Sequence, residues 1–384
     1  MTAAPPRCDE EGAGAKETAA SALLTIDLDA IAANYRRLGA LAAPAECAAV
    51  VKADAYGLGM EQVAPALWRA GCKTFFVATL GEAEALRGLL PEATISVFGG
   101  LFPDTAARFG ASDLRPVLNS LAEIREWVAF CARAEKKLPA AVHIDSGMNR
   151  LGLSAAEVEE IAEESALWSA MELALIMSHL ACADMPEHPK SEAQRSVFNR
   201  LRARLPKTLA SLANSAGILL GRPFHYDVVR PGIALYGGSA RSHGDSEFAP
   251  VLRLDARIAQ LRDVPAGETV GYGATRTVKR HTRVATLAVG YADGLFRALS
   301  VGDDEEGHVV YLGPHPAAIL GRVSMDLITV DVTGVPEHFA RRGAWVEVIG
   351  PHVSLQTLAA HAGTIDYEIL TNLGSRAVRR YRGG

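Results

Sequence analysis

The stretch Val50-Val51-Lys52-Ala53-Asp54-Ala55-Tyr56-Gly57-Leu58-Gly59 decides how the chain reads. An apolar run ends in a lysine, and glycine-rich backbone follows at once. The pattern places Lys52 at the mouth of a strand rather than on a solvated helix face. A lysine there is partly desolvated and held by rigid backbone, which suits an amine that forms a Schiff base. Alone, the same residues also fit a surface lysine after a strand. The rest of the chain discriminates.

Working outward, apolar runs recur at 48–53, 75–79, 94–98, 115–118, 140–144, 174–178, 209–212 and 226–229. Amphipathic segments separate them, among them 60–70, 81–90, 121–135 and 191–205, and residues 26–41 read as a leading helix capped by Asp27 or Asp29. Strands alternating with helices predict a parallel sheet with right-handed crossovers. Eight such runs in about 200 residues predict an N-terminal (β/α)8 TIM barrel rather than an open doubly wound sheet. The texture changes near Gly237. Residues 238–247 read as a linker, and strands then dominate at 251–261, 283–289, 308–312, 317–319, 327–332 and 345–349, before a short helix at 355–362. The expected organisation is a disordered tail over 1–21, a barrel over 22–245 and a mainly β domain over 246–384.

Composition narrows the function classes. The chain has 384 residues, 49% hydrophobic and 22% charged, with a net charge of -5. There is no basic excess, so nucleic acid and anionic membranes are poor partners. No apolar run has the length of a membrane span. The five cysteines, Cys8, Cys47, Cys72, Cys131 and Cys182, are scattered and form no CxxC pair. That argues for a reducing, cytoplasmic setting and against a structural metal site. The first residues, rich in Ala, Gly, Pro and Glu, lack the basic start and apolar core of a secretory signal.

Barrel active sites lie at the C-terminal ends of the strands. Polar residues fall there repeatedly. Lys52 ends the first run, Asp145 and Arg150 follow the fifth, His179 ends the sixth, Asn214 and Ser215 follow the seventh, and Arg230 ends the eighth. Each has an ordinary structural explanation: a satisfied core histidine, a helix-capping asparagine, a surface charge. Together they converge on one pocket. The loops after strands seven and eight are the usual phosphate site of such barrels, and Ser215, Gly217 and Gly232 offer a hydroxyl and close backbone N–H groups. A lysine, a phosphate cradle and an arginine together suggest pyridoxal 5′-phosphate (PLP), which needs a Schiff-base lysine, a phosphate grip and a partner for its ring nitrogen. No dinucleotide fingerprint or P-loop is present.

At these residues the sequence resembles the alanine racemases, PLP enzymes with an N-terminal barrel and a C-terminal β domain. The matching motifs are Lys52 with Tyr56, the 145–152 segment DSGMNRLG, the 178–184 segment SHLACAD, Asn214-Ser215 and the 230–237 segment RPGIALYG. In the second domain they are the 270–273 segment VGYG, the 290–294 segment GYADG, the 321–326 segment GRVSMD and the 366–368 segment DYE. The resemblance implies interconversion of L- and D-alanine by two bases, Lys52 and Tyr272 of the partner subunit, in a homodimer with shared active sites that supplies D-alanine for peptidoglycan. It implies that Arg230 faces the ring nitrogen and Arg150 the phenolic oxygen, and that His179 lies against the ring. Tyr56, Asn214, Ser215, Gly232, Ile233 and Tyr367 are then the remaining cofactor contacts. Arg150, Tyr291, Met325 and Asp326 would serve the substrate.

Several positions depart from the family pattern. Asp54 and Leu58 stand where asparagine and histidine are usual, Ser146 replaces a threonine, and Ser324 a cysteine. His143 stands where many members carry a carbamylated lysine that bonds the arginine corresponding to Arg150, so His143, Asp145 or an anion is left to hold Arg150. A broad-specificity racemase acting on serine or a basic amino acid is the nearest alternative. A non-catalytic PLP binder has no use for Tyr272, Tyr291 and Met325-Asp326. A PLP decarboxylase of similar plan is expected to carry a reactive cysteine in its second domain, and no cysteine follows Cys182.

Overall fold

A computed structural model describes residues 17–242, 244 and 246–384. The described residues divide into two compact units, one of residues 28–249 with Gly384, the other of residues 17–27 and 250–383.

The first unit is the barrel. Ala49–Val50, Thr74–Val77, Thr94–Val97, Arg115–Leu118, Pro139–His143, Glu172–Met177 and Leu209–Ser211 form seven neighbouring parallel strands in chain order. The eighth, Val228–Val229, pairs in parallel with Glu46–Cys47, the outer half of the first strand. Ala48 N and Val50 N then donate to Val229 O and Pro231 O, both at 3.0 Å, so the ring closes. The apolar runs are buried because helices cover the outside and side chains fill the inside; Phe75, Phe76 and Val77 are fully buried. Helices at Met60–Arg69, Leu80–Leu89, Leu121–Arg133 and Lys190–Arg202 match the amphipathic segments. Thr79 and Ser120 cap the second and third of these, which fixes where each strand-end loop stops.

The second unit is built on an eight-stranded sheet. Its long strand Leu252–Val264 pairs with Thr282–Leu287 and Trp345–Ile349, and Val309–Leu312, His315–Leu320 and Ile328–Asp331 complete the run foreseen from sequence. Two corrections apply to the expected boundaries. Residues 22–27, read as the barrel's start, form a strand of this sheet, antiparallel to Leu252–Val264 and parallel to Val378–Arg382. The leading helix accordingly begins at Leu28, not at Ile26. The tail is also shorter than expected. Arg257 Nε donates to Ala20 O at 2.9 Å and its Nη2 to Glu17 O and Thr18 O at 3.3 Å, so residues 17–20 are held. The remainder of the expected tail, residues 1–16, lies outside the described residues.

His308 has an unusual place in this unit. It is buried, both ring nitrogens lack a hydrogen-bond partner among the described residues, and its ring packs 4.8 Å from that of His361. Burial, followed by repulsion from His361, pulls its pKa down to about 4. In the barrel, burial first and Arg230 second pull His143 down to about 4 and His179 to about 3. An unfolded histidine titrates near 6.5, so below that pH the unfolded chain binds more protons than the folded one. Stability is therefore lost as pH falls from about 6.5 towards 4, by roughly 2 kcal/mol per such histidine between pH 6.5 and 5. Urea unfolding at pH 7 and pH 5 is expected to show that loss, and His308→Leu to flatten it by one histidine's share. An unchanged pH slope in the variant contradicts this account.

Candidate active site

The residues after Lys52 fold in a way their identities do not suggest. Ala53, Asp54, Ala55 and Tyr56 all have φ between 52° and 56°, a left-handed turn of four non-glycine residues. Each such residue costs roughly 1–2 kcal/mol, so the turn has to be held from outside. Ala55 N donates to Val51 O at 2.9 Å and Gly57 N to Ala53 O at 2.7 Å. Glu82 Oε1 accepts from Ala53 N at 2.7 Å. Asp54 Oδ1 accepts from Met60 N at 2.7 Å, which places a negative charge at the start of helix Met60–Arg69. The unusual aspartate therefore serves the helix, and Leu58 is wholly buried in the core.

The turn delivers Tyr56 to the eighth strand's end. A Cβ on Gly232 would lie 2.1 Å from Tyr56 Oη, so only glycine permits the approach. The Tyr56 ring packs 4.7 Å from that of Tyr236, whose hydroxyl donates to Val50 O at 2.9 Å. Ser215 Oγ accepts from Gly232 N at 2.9 Å and Ala234 N at 3.3 Å. Asn214 caps the short helix Ser215–Leu219, its Oδ1 accepting from Gly217 N at 2.9 Å. Tyr56, Ser215, Gly232 and Ile233 are thus gathered into one buried cradle, while the Asn214 side chain is committed to its cap.

Arg230 is fully enclosed. Its Nη2 donates to Ser178 O at 2.7 Å, its Nη1 to Ser211 Oγ, and its Nε has no partner. Burial lowers its pKa to about 9, and it remains a cation at neutral pH. Phe76 and Phe98, stacked at 5.0 Å, bridge towards Lys52: the Arg230 guanidinium and the Lys52 ammonium each sit 6.0 Å from one of these rings. Burial, then repulsion from Arg150, lowers the Lys52 pKa, and Glu82 opposes this. His179 senses Arg230, Arg150, His143 and Lys52 in turn and is held neutral. The pocket is therefore cationic, and it suits an anionic ligand.

His143 and Asp145 are both engaged away from Arg150. Asn119 Nδ2 donates to Val117 O at 2.8 Å and Phe98 O at 3.2 Å, which turns its Oδ1 to His143 Nδ1 at 2.8 Å. The acceptor requires a proton on Nδ1 and leaves Nε2 as a lone pair. Asp145 accepts backbone N–H groups from Gly147, Met148 and Asn149, so it shapes the loop rather than pairing with the arginine. Arg150 is exposed. Gln194 was missed from sequence because it lies on a helix remote in the chain. It is buried, donates to His179 O at 2.9 Å and Ser146 Oγ at 3.4 Å, and accepts from Ala181 N at 2.8 Å. Its position on an amphipathic helix gave no sign of this role.

Tyr272, Tyr291, Met325, Asp326 and Tyr367 belong to the second unit. Tyr272 is 72% exposed and Met325 53%, with Tyr291, Leu327, Ile365 and Tyr367 also exposed. Tyr291 N and Ala292 N donate to Ser324 O and Met325 O at 3.0 Å, which ties two of the motifs together. Asp326 pairs with Arg376 at 2.6 Å. A cleft of about 650 Å3 also lies in this unit, lined by Arg253, Arg257 and Arg380. Asp255 and Glu17 pair with two of these arginines, and none of the motif residues lines it.

Two family models, the alanine racemase N-terminal and C-terminal domains, match residues 26–240 and 251–381. The chain belongs to the alanine racemase family. It is 51% identical over 363 residues to the alanine racemase of Methylobacterium nodulans, covering 94% of this chain and 96% of that protein. It is 47% identical over 380 residues to that of Brucella canis, covering 95% of each. Among solved structures, the Bartonella henselae alanine racemase with covalently bound pyridoxal phosphate matches with a TM-score of 0.89 and 41% identity, covering 94% of this chain and all of that one. The biosynthetic alanine racemase of Pseudomonas aeruginosa matches with a TM-score of 0.88 and 35% identity, covering 95% and 100%. The barrel and β domain read from the family's motifs are those of its members.

The Tyr56–Gly232 approach is open to test. Gly232→Ala forces the tyrosine out of a packed site and is expected to cost about 1–3 kcal/mol, read by urea unfolding. Because the closest atom is the hydroxyl oxygen, Tyr56→Phe in the alanine background is expected to recover part of that loss. No recovery contradicts the contact.

Proposed function

We propose that the protein interconverts L-alanine and D-alanine with PLP as cofactor. The observation that carries this reading is Lys52, a half-buried amine with a lowered pKa, facing a cationic pocket with the cradle of Tyr56, Ser215 and Gly232 alongside. The residues present fit that cofactor. Ser215 and Tyr56 bring hydroxyls to the glycine at 232, where a Cβ has no room, and Arg230 offers a buried cation for the ring nitrogen. Bound there, PLP supplies an electron-withdrawing ring that acidifies the α-hydrogen of the attached amino acid.

Racemisation removes a proton from one face of the α-carbon and returns one to the other, so it needs two groups. Lys52 Nζ, once released from the cofactor, serves one face. Tyr272 of the partner subunit serves the other through its hydroxyl. The case for a partner is the exposure of Tyr272 together with Tyr291, Met325 and Tyr367, large side chains that a second subunit would cover. Arg150 holds the substrate carboxylate and the cofactor's phenolic oxygen. Tyr291, Met325 and Asp326 line the entrance, and Tyr367, Ile233 and Asn214 complete the cofactor contacts. Arg230, a buried cation, would face the ring nitrogen and disfavour its protonation, which would moderate the electron withdrawal that PLP supplies there. A homodimer follows from this arrangement, and supply of D-alanine for peptidoglycan is the role it implies. No helix among the described residues is long and apolar enough to cross a membrane, consistent with action in the cytoplasm.

The test is incubation with L-alanine in deuterated water. D-alanine carrying α-deuterium is expected, and α-deuterium without inversion removes Tyr272 from its role. Lys52→Ala is expected to lose both the visible absorbance of bound cofactor and the activity; retention of full activity overturns the reading. Side-by-side kcat/KM for alanine, serine and lysine separates an alanine enzyme from a broad racemase.

A further inference from the structure

Glu82 has a second task beyond its helix. It forms a capping box with Thr79, accepting from Thr79 N at 3.1 Å while the threonine hydroxyl accepts from Glu82 N. The box needs one carboxylate oxygen. The same Oε2 also takes Ala78 N at 2.8 Å, and Oε1 reaches out of the helix to Ala53 N at 2.7 Å. Ala53 follows Lys52 directly and is the first residue of the left-handed turn. Glu157 is the natural contrast. It forms the same box with Ser154, accepting from Ser154 N at 2.8 Å, on a helix after the fifth strand rather than the second.

We propose that Glu82 is the positioning residue of Lys52: by tying Ala53 to the end of the second strand, it fixes the strained turn from which the lysine enters the pocket. Three N–H donors converge on its two oxygens, so only a carboxylate serves. An amide would turn an NH2 group towards one of those donors. The carboxylate is also the one negative group that favours the lysine's charged form, against burial and Arg150. The proposal rests on the reading that Lys52 bears the cofactor.

The test compares Glu82→Gln with Glu157→Gln, two matched losses of a capping box, in reconstituted enzyme. Both are expected to lower the thermal midpoint, Glu82→Gln the more because it also loosens the turn and the cofactor. Glu82→Gln alone is expected to weaken PLP binding at least tenfold and to shift the pH midpoint of the visible absorbance band downward. It is also expected to cut kcat for alanine at least tenfold, with KM changed less than threefold. Glycine tolerates positive φ without strain, so Ala53→Gly added to Glu82→Gln is expected to regain at least fivefold in PLP affinity. Parent-like affinity and absorbance in Glu82→Gln, equal effects in Glu157→Gln, or no recovery from the glycine each overturn the proposal. Glu82→Asp keeps the charge but falls short of Ala53; should the glutamine variant not fold, weakened PLP binding in the aspartate variant supports the proposal and parent affinity overturns it. A parent enzyme that binds PLP but does not racemise alanine refutes the proposed function alone, because PLP affinity and absorbance still judge Glu82.

Discussion

Four consecutive left-handed residues after Lys52 are the constraint around which the site is arranged. A right-handed helix beginning at Lys52 would carry Tyr56 away from Gly232. The left-handed turn instead sets the lysine and the tyrosine, at positions 52 and 56, on one rim, so a single segment provides both the amine and part of the anion cradle. Such strain persists only where the surroundings over-determine it. Here the barrel does so through backbone bonds to Val51 and Ala53, through Glu82, and through the packing of Tyr56 on Tyr236.

The same device recurs around the ring. Glu123, on the helix after the fourth strand, accepts from Asn119 N and Leu101 N at 3.0 Å, as Glu82 gathers N–H groups on the helix after the second strand. Gln194 links the ends of strands five and six through Ser146 and His179. In each case a side chain near the start of a barrel helix gathers polar groups from two neighbouring strand ends. Loops that carry chemistry are thereby fastened to rigid elements. Asn119, its backbone held by Glu123, then fixes the proton on His143, so the tautomer of a pocket histidine is decided on the neighbouring strand.

The strand-end residues were legible because each follows an apolar run of strand length, and the barrel converts sequence position into convergence. Lys52, His179, Ser215 and Arg230 all emerged that way. The strand at Ala22–Asp27 was not legible. Its partners lie more than 200 residues along the chain, and its apolar residues run into a helix without a break. The left-handed turn was illegible for a different reason: Lys-Ala-Asp-Ala-Tyr has good helix-forming residues, and tertiary contacts override that preference. Glu82 and Gln194 read as ordinary polar positions of amphipathic helices. What they bond is set by the closing of the barrel, not by their neighbours in sequence.

The departures from the family pattern acquire a common electrostatic meaning. Where many members place an anionic carbamate beside the arginine at position 150, this chain places a neutral histidine whose pKa of about 4 keeps it uncharged at cellular pH. The extra carboxylate, Asp54, is directed to a helix N-terminus. Asp145 is saturated by three backbone N–H groups. None of these carboxylates neutralises Lys52, Arg150 or Arg230, so the positive charge of the pocket is left for the ligand. A phosphate and a substrate carboxylate together supply compensating charge of the right order. By this argument the histidine at 143 raises the pocket's demand for an anionic ligand rather than altering the chemistry, which is left to the proposed bases Lys52 and Tyr272.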